Sequence, residues 1–408
     1  MLRFLGGAEE VGRLALLADF GGRELLFEYG FVPSHPPKFP QPAPRVENVF
    51  LTHCHLDHSG MLPWLANSFE PTVWGTDLTQ SITSLLLDDT LKVWEAEGIA
   101  SPYGKGDVKY MRRLFRSVEI GESIALDGLE INVHFAGHIP GAVMYEVVHD
   151  EGSLLFTGDI NTIDTRLVEG THPVKTDVLV VESTYAAREH PPRREIENAL
   201  LAKVEEVVDR GGKALLPAFA VGRTQELMLL LRKEGYEIWL DGMGKRVNSL
   251  YFRHPEYIRD HRALLKAKDA VRVVRSFRER PRALKGEVVL TTSGMLDGGP
   301  ILYYLEKLKN DEKSCVFLTG YQVEGTNGRR LLETGTIDVY GTTERVKCEV
   351  AFFDLSAHAG RRELLSFIRG CDAESVVLCH GDERSELVPE LEDEVKVYTP
   401  MNSETLVF

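Results

Sequence analysis

Short apolar runs separated by turn-forming residues fill the first part of the chain. Most of these runs have the length of a β-strand, and two longer segments repeat apolar residues at helical spacing. The predicted strands are residues 14–18, 25–28, 49–52, 72–74, 131–135, 143–148, 153–157 and 177–182. The predicted helices are residues 81–96 and 107–116. We therefore expect a region in which sheets outweigh helices.

From about residue 191 the pattern changes to helices and strands in alternation, which is typical of a parallel α/β domain. Residues 195–210 are amphipathic and end at Gly211 and Gly212, a helix stop signal. The next predicted strands are residues 214–217, 237–240, 288–292 and 315–319, with helices at 224–233 and 301–309. A further strand, helix and strand are predicted at residues 347–354, 361–369 and 375–380.

Metal-binding residue types are concentrated in the string THCHLDHSG, which directly follows a predicted strand. Alternate side chains of an extended segment share one face, so we predict that His53 and His55 point at one ion. Asp57 and His58 come where the chain turns into a helix, and we expect them to reach a second ion. Imidazole and carboxylate ligands together suit zinc, and also iron or manganese.

Two further candidate ligands follow predicted strands. His138 lies in the segment FAGHIPGA, and Asp159 lies in the segment LLFTGDI. Either residue alone fits a polar loop position equally well. Combined with the histidine string, they predict one metal site at the ends of several strands, in which Asp159 can bridge two ions.

The composition is that of a globular protein able to bury a sizeable core, since 43 % of the 408 residues are hydrophobic and 27 % are charged. The five cysteines form no CxxC pair and are predicted to be reduced thiols. The N-terminus does not resemble a signal peptide, and no apolar run approaches the length of a membrane span. We therefore expect a cytoplasmic protein with no membrane partner.

The net charge of -15 argues against a nucleic-acid binder. Metal binding weakens this objection, because ligand carboxylates would be neutralised and divalent ions would add positive charge locally. One basic run, RVVRSFRERPRALK at residues 272–285, also stands out. It fits either a solvated surface or a strip that contacts phosphates.

The ligand pattern resembles the metallo-β-lactamase superfamily, in which two sheets lie between helices and the ligands sit at one edge. The resemblance implies two zinc ions per chain. One would be bound by His53, His55 and His138, and the other by Asp57 and His58. Asp159 would bridge the two ions.

Six further segments are similar, in order and spacing, to the β-CASP nucleases of that superfamily, which include ribonuclease J and the endonuclease subunit of the cleavage and polyadenylation specificity factor. They read DVLVVESTY, ALLPAFAVGRTQEL, TTSGMLDGG, LTGYQVEGTNGR, FDLSAHAG and LCHGD. The implied fold is α/β: a metallo-β-lactamase αββα sandwich with an inserted parallel α/β β-CASP domain. We place the sandwich domain at residues 1–187 and 346–408, and the β-CASP domain at residues 188–345.

The resemblance also implies residue roles. Glu182 and His358 would form a catalytic pair, Asp57 would orient the nucleophile, and His380 would complete the second zinc site. DNA-processing members typically lack a histidine at the last of these positions, so His380 favours RNA. The family usually has an aspartate where this chain has Glu28, which we expect to support a ligand histidine with a longer reach.

Glycine-rich loops offer backbone N–H groups to phosphates, although each loop fits a plain tight turn equally well. The candidate RNA-binding residues are Arg223, Ser293, Gly294, Gly325, Thr326 and Arg329. The predicted function is a zinc-dependent ribonuclease that acts on single-stranded RNA, by endonucleolytic or 5′→3′ exonucleolytic cleavage. A homodimer is left open. The alternatives are a β-CASP nuclease that acts on DNA and a non-catalytic RNA-binding subunit.

Overall fold

A computed structural model describes residues 1–339 and 341–408, which fold into two compact units. The first unit contains Met1–Asp164, Glu169–Glu189 and His358–Phe408. The second unit contains Thr165–Val168 and His190–Ala357. No helix in the described part of the chain is long and apolar enough to cross a membrane.

The first unit opens with six strands and four helices. They are β1 (Leu2–Gly6), β2 (Ala15–Asp19), β3 (Glu24–Phe27), β4 (Asn48–Phe50), α1 (Leu56–Ser59), α2 (Leu62–Phe69), β5 (Thr72–Gly75), α3 (Asp77–Glu97), α4 (Lys105–Leu114) and β6 (Phe115–Ser117). The strands β1 to β3 are antiparallel, and β3 to β6 are parallel. The six strands are neighbours in chain order within one sheet.

Five strands of a second sheet follow: β7 (Ser123–Leu126), β8 (Leu129–Phe135), β9 (Val143–His149), β10 (Gly152–Phe156) and β11 (Val178–Glu182). The strands β7 to β10 form an antiparallel meander, whereas β11 pairs with β10 in parallel. Alternate side chains of this meander are buried apolar residues, which is the pattern of a sheet covered on one face.

The second unit is built on one sheet of six parallel strands. Its elements are α5 (Arg193–Asp209), β12 (Ala214–Pro217), α6 (Arg223–Leu231), β13 (Ile238–Asp241), α7 (Gly244–Tyr251), α8 (His261–Asp269), β14 (Val271–Val273), α9 (Arg280–Ala283), β15 (Val288–Thr291), α10 (Pro300–Leu308), β16 (Cys315–Leu318), α11 (Asn327–Thr334), β17 (Thr336–Val339), β18 (Thr342–Arg345) and β19 (Glu349–Phe352). The strand order is β14-β13-β15-β12-β16-β19, and β17 and β18 form a separate hairpin. The strands β12, β15 and β16 contain only buried residues, all of them apolar except Thr291, as expected for a parallel sheet.

The chain then returns to the first unit with α12 (Arg361–Cys371), β20 (Ser375–Cys379), α13 (Val388–Leu391), β21 (Lys396–Tyr398) and β22 (Thr405–Leu406). The strand β20 pairs in parallel with β11, and β22 pairs with β1. The sequence predicts that the chain re-enters the sandwich domain at residue 346, whereas in the structure the chain re-enters the first unit at His358. The strand β19 lies between these two positions and is hydrogen-bonded to β16 of the second unit. The domain boundaries themselves stay a prediction.

Aromatic side chains fill the space between the two sheets of the first unit. The ring centroids of Phe27 and Phe156 are 4.9 Å apart, and those of Phe50 and Tyr145 are 5.1 Å apart. On the outer face of the first sheet, Val49 packs in a cluster with residues of α2, α3 and α4. The helix α12 packs on β11 of the second sheet. The predicted αββα sandwich and the inserted parallel α/β region are confirmed.

Gly30 is a point of close backbone approach between this sandwich and the string THCHLDHSG. A Cβ atom at Gly30 would lie 1.7 Å from the carbonyl oxygen of Asp57. We expect Gly30→Ala to push this segment away and to lower the free energy of unfolding by about 1–3 kcal/mol or more. Chemical denaturation measures this change.

Gly106→Ala is the matched control, because a Cβ atom there meets nothing within 4 Å and the position lies in α4. This control should be neutral or stabilising by up to about 1 kcal/mol. A Gly30→Ala protein as stable as the wild type would refute the close approach.

Candidate active site

Residues that follow strand ends meet at one edge of the sandwich. His53 follows β4 of the first sheet. Three residues belong to the second sheet: His138 follows β8, Asp159 follows β10 and His380 follows β20. The backbone is extended at His55, and α1 then presents Asp57 and His58. The site is thus assembled from both sheets and one short helix.

A first group of donor atoms gathers around His55. Its Nδ1 lies 3.0 Å from Nε2 of His53 and 3.2 Å from Nε2 of His138. Oδ2 of Asp159 lies 3.5 Å from Nε2 of His53 and 3.7 Å from Nε2 of His138. Ligands about 2.0–2.2 Å from a tetrahedral zinc ion are separated by roughly 3.3–3.6 Å. The spacing of these four donors therefore fits one tetrahedral ion.

A second group contains Asp57, His58 and His380. Oδ2 of Asp57 lies 3.8 Å from Nε2 of His58 and 3.6 Å from Nε2 of His380. Asp159 also reaches this group, since its Oδ2 lies 3.4 Å from Nε2 of His58 and its Oδ1 lies 3.7 Å from Nε2 of His380. One carboxylate therefore stands between two sets of imidazoles.

Several donor atoms of this cluster are buried without a hydrogen-bond partner among the described residues. They are Nε2 of His58, Oδ1 of Asp159 and Nε2 of His380. A buried polar atom without a partner costs about 1–3 kcal/mol, and more if it is charged. Cations placed between these atoms would satisfy all three. The donor set therefore fits metal ions.

Burial keeps most of these imidazoles neutral, as metal ligands must be. It lowers the pKa of His53, lowers that of His380 and lowers that of His55 to about 4. Burial also opposes the charged form of His58, but the carboxylates of Asp159 and Asp57 outweigh it and raise the pKa of His58. These carboxylates thus favour positive charge at the position that a divalent ion would take.

His358 lies beside this cluster and is oriented by Glu182. Its Nδ1 lies 3.0 Å from Oε1 and 3.2 Å from Oε2 of Glu182, while its Nε2 lies 3.8 Å from Oδ2 of Asp159. Glu182 is itself fixed, because its Oε1 accepts the backbone N–H of Ile160 at 2.8 Å. Burial disfavours the imidazolium of His358, yet the carboxylates of Glu182, Asp159 and Asp57 together outweigh it and raise the pKa of His358 to about 9.

Glu28 faces His58 of the second group at Nδ1, the ring nitrogen that does not face the aspartates. Its Oε1 accepts the backbone N–H of Thr52 at 3.0 Å and lies 3.8 Å from Nδ1 of His58. The side chain is fully buried, and burial raises its pKa. Glu28 stands at φ 59°, in the left-handed region, directly after β3. The longer glutamate is therefore placed to hold Thr52 and face His58 together.

Thr52 was not singled out from the sequence, although it adjoins the ligand string. Its Oγ1 lies 3.0 Å from Nδ1 of His53. A hydroxyl at this nitrogen fixes the ring orientation and leaves Nε2 directed at the cluster. The signal available in the sequence was the position of Thr52 immediately before His53.

The candidate RNA-binding residues all lie in the second unit. Arg223 follows β12, Ser293 and Gly294 follow β15, and Gly325, Thr326 and Arg329 follow β16. These three strands are parallel neighbours, so their carboxyl ends meet at one edge of the sheet. A hydrogen bond of 2.8 Å from Gly328 N–H to the carbonyl of Met295 joins two of the loops.

Contacts within the unit give some of these residues a structural role. Thr326 is the N-cap of α11 and accepts the backbone N–H of Arg329 at 3.3 Å. The guanidinium of Arg329 is paired with Glu333. A Cβ atom on Gly294 would lie 3.0 Å from the backbone nitrogen of Phe219. Gly325 has φ 83° with open space around it, as in an exposed turn. Contact of these residues with RNA stays a prediction.

Comparison with known proteins places the chain in a family. Residues 16–217 match the sequence model described as metallo-beta-lactamase superfamily, and residues 224–331 match the Beta-Casp domain. Residues 343–400 match the Zn-dependent metallo-hydrolase RNA specificity domain. The chain is 37 % identical to RNase aCSPSF2 of Saccharolobus solfataricus, over 99 % of this chain and 85 % of the relative. The chain belongs to the β-CASP family of the metallo-β-lactamase superfamily.

Other β-CASP relatives extend the comparison. The chain is 35 % identical to Probable RNase MJ4 of Methanocaldococcus jannaschii, over 93 % of this chain and 92 % of the relative. It is 32 % identical to Transcription termination factor FttA of the same organism, over 99 % of this chain and 71 % of the relative. A solved protein of unknown function from Enterococcus faecalis V583 superposes with a TM-score of 0.64 at 13 % identity, covering 100 % of this chain and 99 % of that one. This last match supports the fold alone.

The contact between Glu28 and His58 predicts a measurable effect on metal affinity. Glu28→Ala removes the carboxylate behind His58 and the acceptor for the Thr52 N–H, so zinc affinity should fall by about 10-fold to 100-fold. Competition with a chromogenic chelator measures it. Glu24→Ala, at the exposed start of the same strand, is the matched control. Equal zinc affinity in the two variants would remove Glu28 from the site.

Proposed function

We propose that this protein is a zinc-dependent ribonuclease that holds two zinc ions per chain. His53, His55 and His138 would hold one ion, Asp57, His58 and His380 the other, and Asp159 would serve both. The observation that carries the proposal is the convergence of seven buried or half-buried donors on two adjacent positions that share Asp159. Zinc is favoured over iron or manganese by the imidazole-rich first group and by the zinc-dependent description of the matched domain.

RNA is the proposed substrate because two relatives carry RNase names and because one matched domain is described as specifying RNA. We further propose that the RNA is single-stranded. The donors lie below the surface, with His58 fully buried and the side chain of Asp159 only 3 % exposed. An extended strand can bring a phosphate close to such buried donors more easily than a wide, stiff duplex can. The homodimer and the cytoplasmic location stay predictions.

The metal ions, when bound, would supply Lewis acidity and activate a water molecule near neutral pH. Asp57 keeps 27 % of its side chain exposed beside the second group, and it would orient the attacking water. His358 would donate the proton on Nε2 to the departing 3′ oxygen, while Glu182 accepts the N–H at Nδ1 and fixes the tautomer. The more exposed His358, at 20 %, is the member of this pair that a substrate can touch.

Two alternatives remain as outcomes of experiment. A DNA nuclease would use the same donors, so the distinction rests on the substrate. A non-catalytic RNA-binding subunit would not need a complete donor set. The complete donor set of this chain, together with the hydrogen-bonded Glu182–His358 pair, favours catalysis.

Replacing His358 and replacing Asp159 should impair the protein in different ways. His358→Ala should keep both zinc ions and slow the chemical step by about a hundredfold to ten-thousandfold, because only proton donation is lost. Asp159→Ala should lose zinc as well as activity, because Asp159 contacts both groups. Elemental analysis and single-turnover kinetics measure the two effects.

An RNA whose leaving oxygen is replaced by sulfur supplies the control, since sulfur departs without protonation. This substrate should restore the rate of His358→Ala and leave Asp159→Ala inactive. Loss of zinc from His358→Ala, or wild-type cleavage of ordinary RNA by that variant, would contradict the assigned role.

The substrate is tested with matched strands of RNA and DNA. RNA labelled at its 5′ end or internally should be cut much faster than DNA of the same sequence by the zinc-loaded protein, and chelation should stop the reaction. Internal fragments indicate endonuclease action, and mononucleotides released only from 5′-monophosphate ends indicate 5′→3′ exonuclease action. Equal rates on RNA and DNA would replace the ribonuclease proposal with that of a general nuclease.

A further inference from the structure

Phe277 is an exposed aromatic residue within the basic run of the second unit. Its side chain lies on a short 3-10 turn, Phe277–Glu279, that follows β14, and the residue is 64 % exposed. The ring packs against Tyr303 with the centroids 5.3 Å apart and the planes at 72°. The guanidinium carbon of Arg280 lies 5.0 Å from the ring centroid. Phe277 is thus supported from within the protein and largely open to solvent.

Hydrogen bonds hold the residues around Phe277 in place. Nε of Arg280 donates to Oδ2 of Asp241 at 2.8 Å, and the hydroxyl of Tyr304 donates to the same oxygen at 3.0 Å. The turn is closed by the backbone N–H of Arg275, which donates to Oε2 of Glu279 at 2.6 Å. An aromatic ring held in this way loses little conformational entropy when a flat ligand stacks on it.

The structure divides the arginines of the basic run into two kinds. Arg272 and Arg282 lie over the ring of Trp239, at 5.7 and 5.6 Å, and Arg272 also pairs with Glu237. Arg275 and Arg278 are exposed, and their guanidinium groups form no ion pair or hydrogen bond within residues 1–339 and 341–408. These two arginines flank Phe277 in the sequence. Positive charge is thus left available close in sequence to an open ring, in a chain of net charge -15.

The position of this turn in the sheet relates it to the candidate phosphate-binding loops. All six strands are parallel, so the turn after β14 and the loops after β15, β12 and β16 lie at the same carboxyl edge. The strand β14 is two strand spacings, about 10 Å, from β15. A nucleic-acid strand that contacts the loop at Ser293 therefore has to extend only a short way to reach Phe277.

We propose that Arg275, Phe277 and Arg278, here called the Phe277 patch, bind single-stranded RNA outside the catalytic centre. Phe277 stacks on a base, and the two arginines contact the phosphates on either side. Stacking on an aromatic ring tolerates every base, so this patch adds affinity and length preference without sequence preference. The inference rests on the proposed ribonuclease function for its ligand.

The test measures equilibrium binding of a labelled single-stranded RNA of about 20 nucleotides to the zinc-loaded protein by fluorescence anisotropy. The binding is measured on ice, and a gel verifies that the RNA stays intact. Phe277→Ala should weaken binding by at least about fivefold, the lower end of the effect of one stacked base. Phe277→Leu should weaken it similarly, because the apolar bulk is kept and the aromatic face is lost. Phe277→Trp should bind as tightly as the wild type or more tightly.

The arginines are tested through the salt dependence of the same binding. Arg275→Ala combined with Arg278→Ala should reduce the slope of log affinity against log salt by about 1.4, as expected for two lost contacts to a single strand. The control removes the same charge elsewhere, with Arg113→Ala combined with Arg362→Ala, both exposed residues of the first unit. Circular dichroism verifies that every variant is folded.

The outcomes separate the patch from the proposed function. A wild-type protein that neither binds nor cleaves RNA overturns both proposals. A wild type that binds and cleaves RNA, with Phe277→Ala and the double arginine variant binding as tightly as the control, overturns the patch alone. RNA affinity in Phe277→Leu equal to that of the wild type shows that the aromatic face contributes nothing, and it overturns the stacking of Phe277 on a base.

Discussion

The carboxylate of Asp159 is the group on which the rest of the site depends. It is almost fully buried, and its oxygens lie within 3.4–3.8 Å of nitrogen atoms from His53, His58 and His358. Burial opposes ionisation of this carboxyl, yet the surrounding imidazoles outweigh it and lower its pKa far below the usual range. A negative charge at this depth is costly unless positive charge and hydrogen bonds compensate it. Bound metal ions would meet that requirement, and candidate donor residues from distant parts of the chain do face this one carboxylate.

The sandwich holds these groups in place through its strands rather than through the loops alone. Asp159, Glu182 and His380 follow or end the neighbouring strands β10, β11 and β20, whose parallel register brings Glu182 beside Cys379. The string that begins at His53 comes from the opposite sheet, across the aromatic core. Gly30 lets its backbone lie directly against Asp57. Because packed sheets deform little, the spacing of the donors is set before any ion binds.

The second unit contributes a different kind of surface. Its parallel sheet presents loops, and one arginine-flanked phenylalanine, at a single carboxyl edge. Much of the charge there is used internally: Arg329 is paired with Glu333, and Arg280 with Asp241. For the attraction of a polyanion, Arg275 and Arg278, whose guanidinium groups have no partner among the described residues, are therefore more informative than the total number of basic residues. The same reasoning explains how a chain with a strongly negative net charge can still offer local attraction to a polyanion.

The sequence by itself determined the fold class and the order of the metal-binding residue types. These signals are local, because apolar runs mark buried strands and the spacing of His53, His55 and His58 needs only one extended segment and one turn of helix. Strands β1 and β7 and the hairpin β17–β18 were not predicted, since short strands depend on partners elsewhere, as β1 does on β2 and β22.

Only the tertiary structure decided the contacts between distant residues. The family resemblance implied that Glu182 pairs with His358 and that Glu28 supports a histidine, but only the structure gives the geometry of these contacts, across 176 positions of the chain in the first case. The structure also made Thr326 a helix cap and left Phe277 open. The physical reason is the same in each case: burial, pairing and hydrogen bonding are properties of neighbours in space, and a one-dimensional pattern does not contain them.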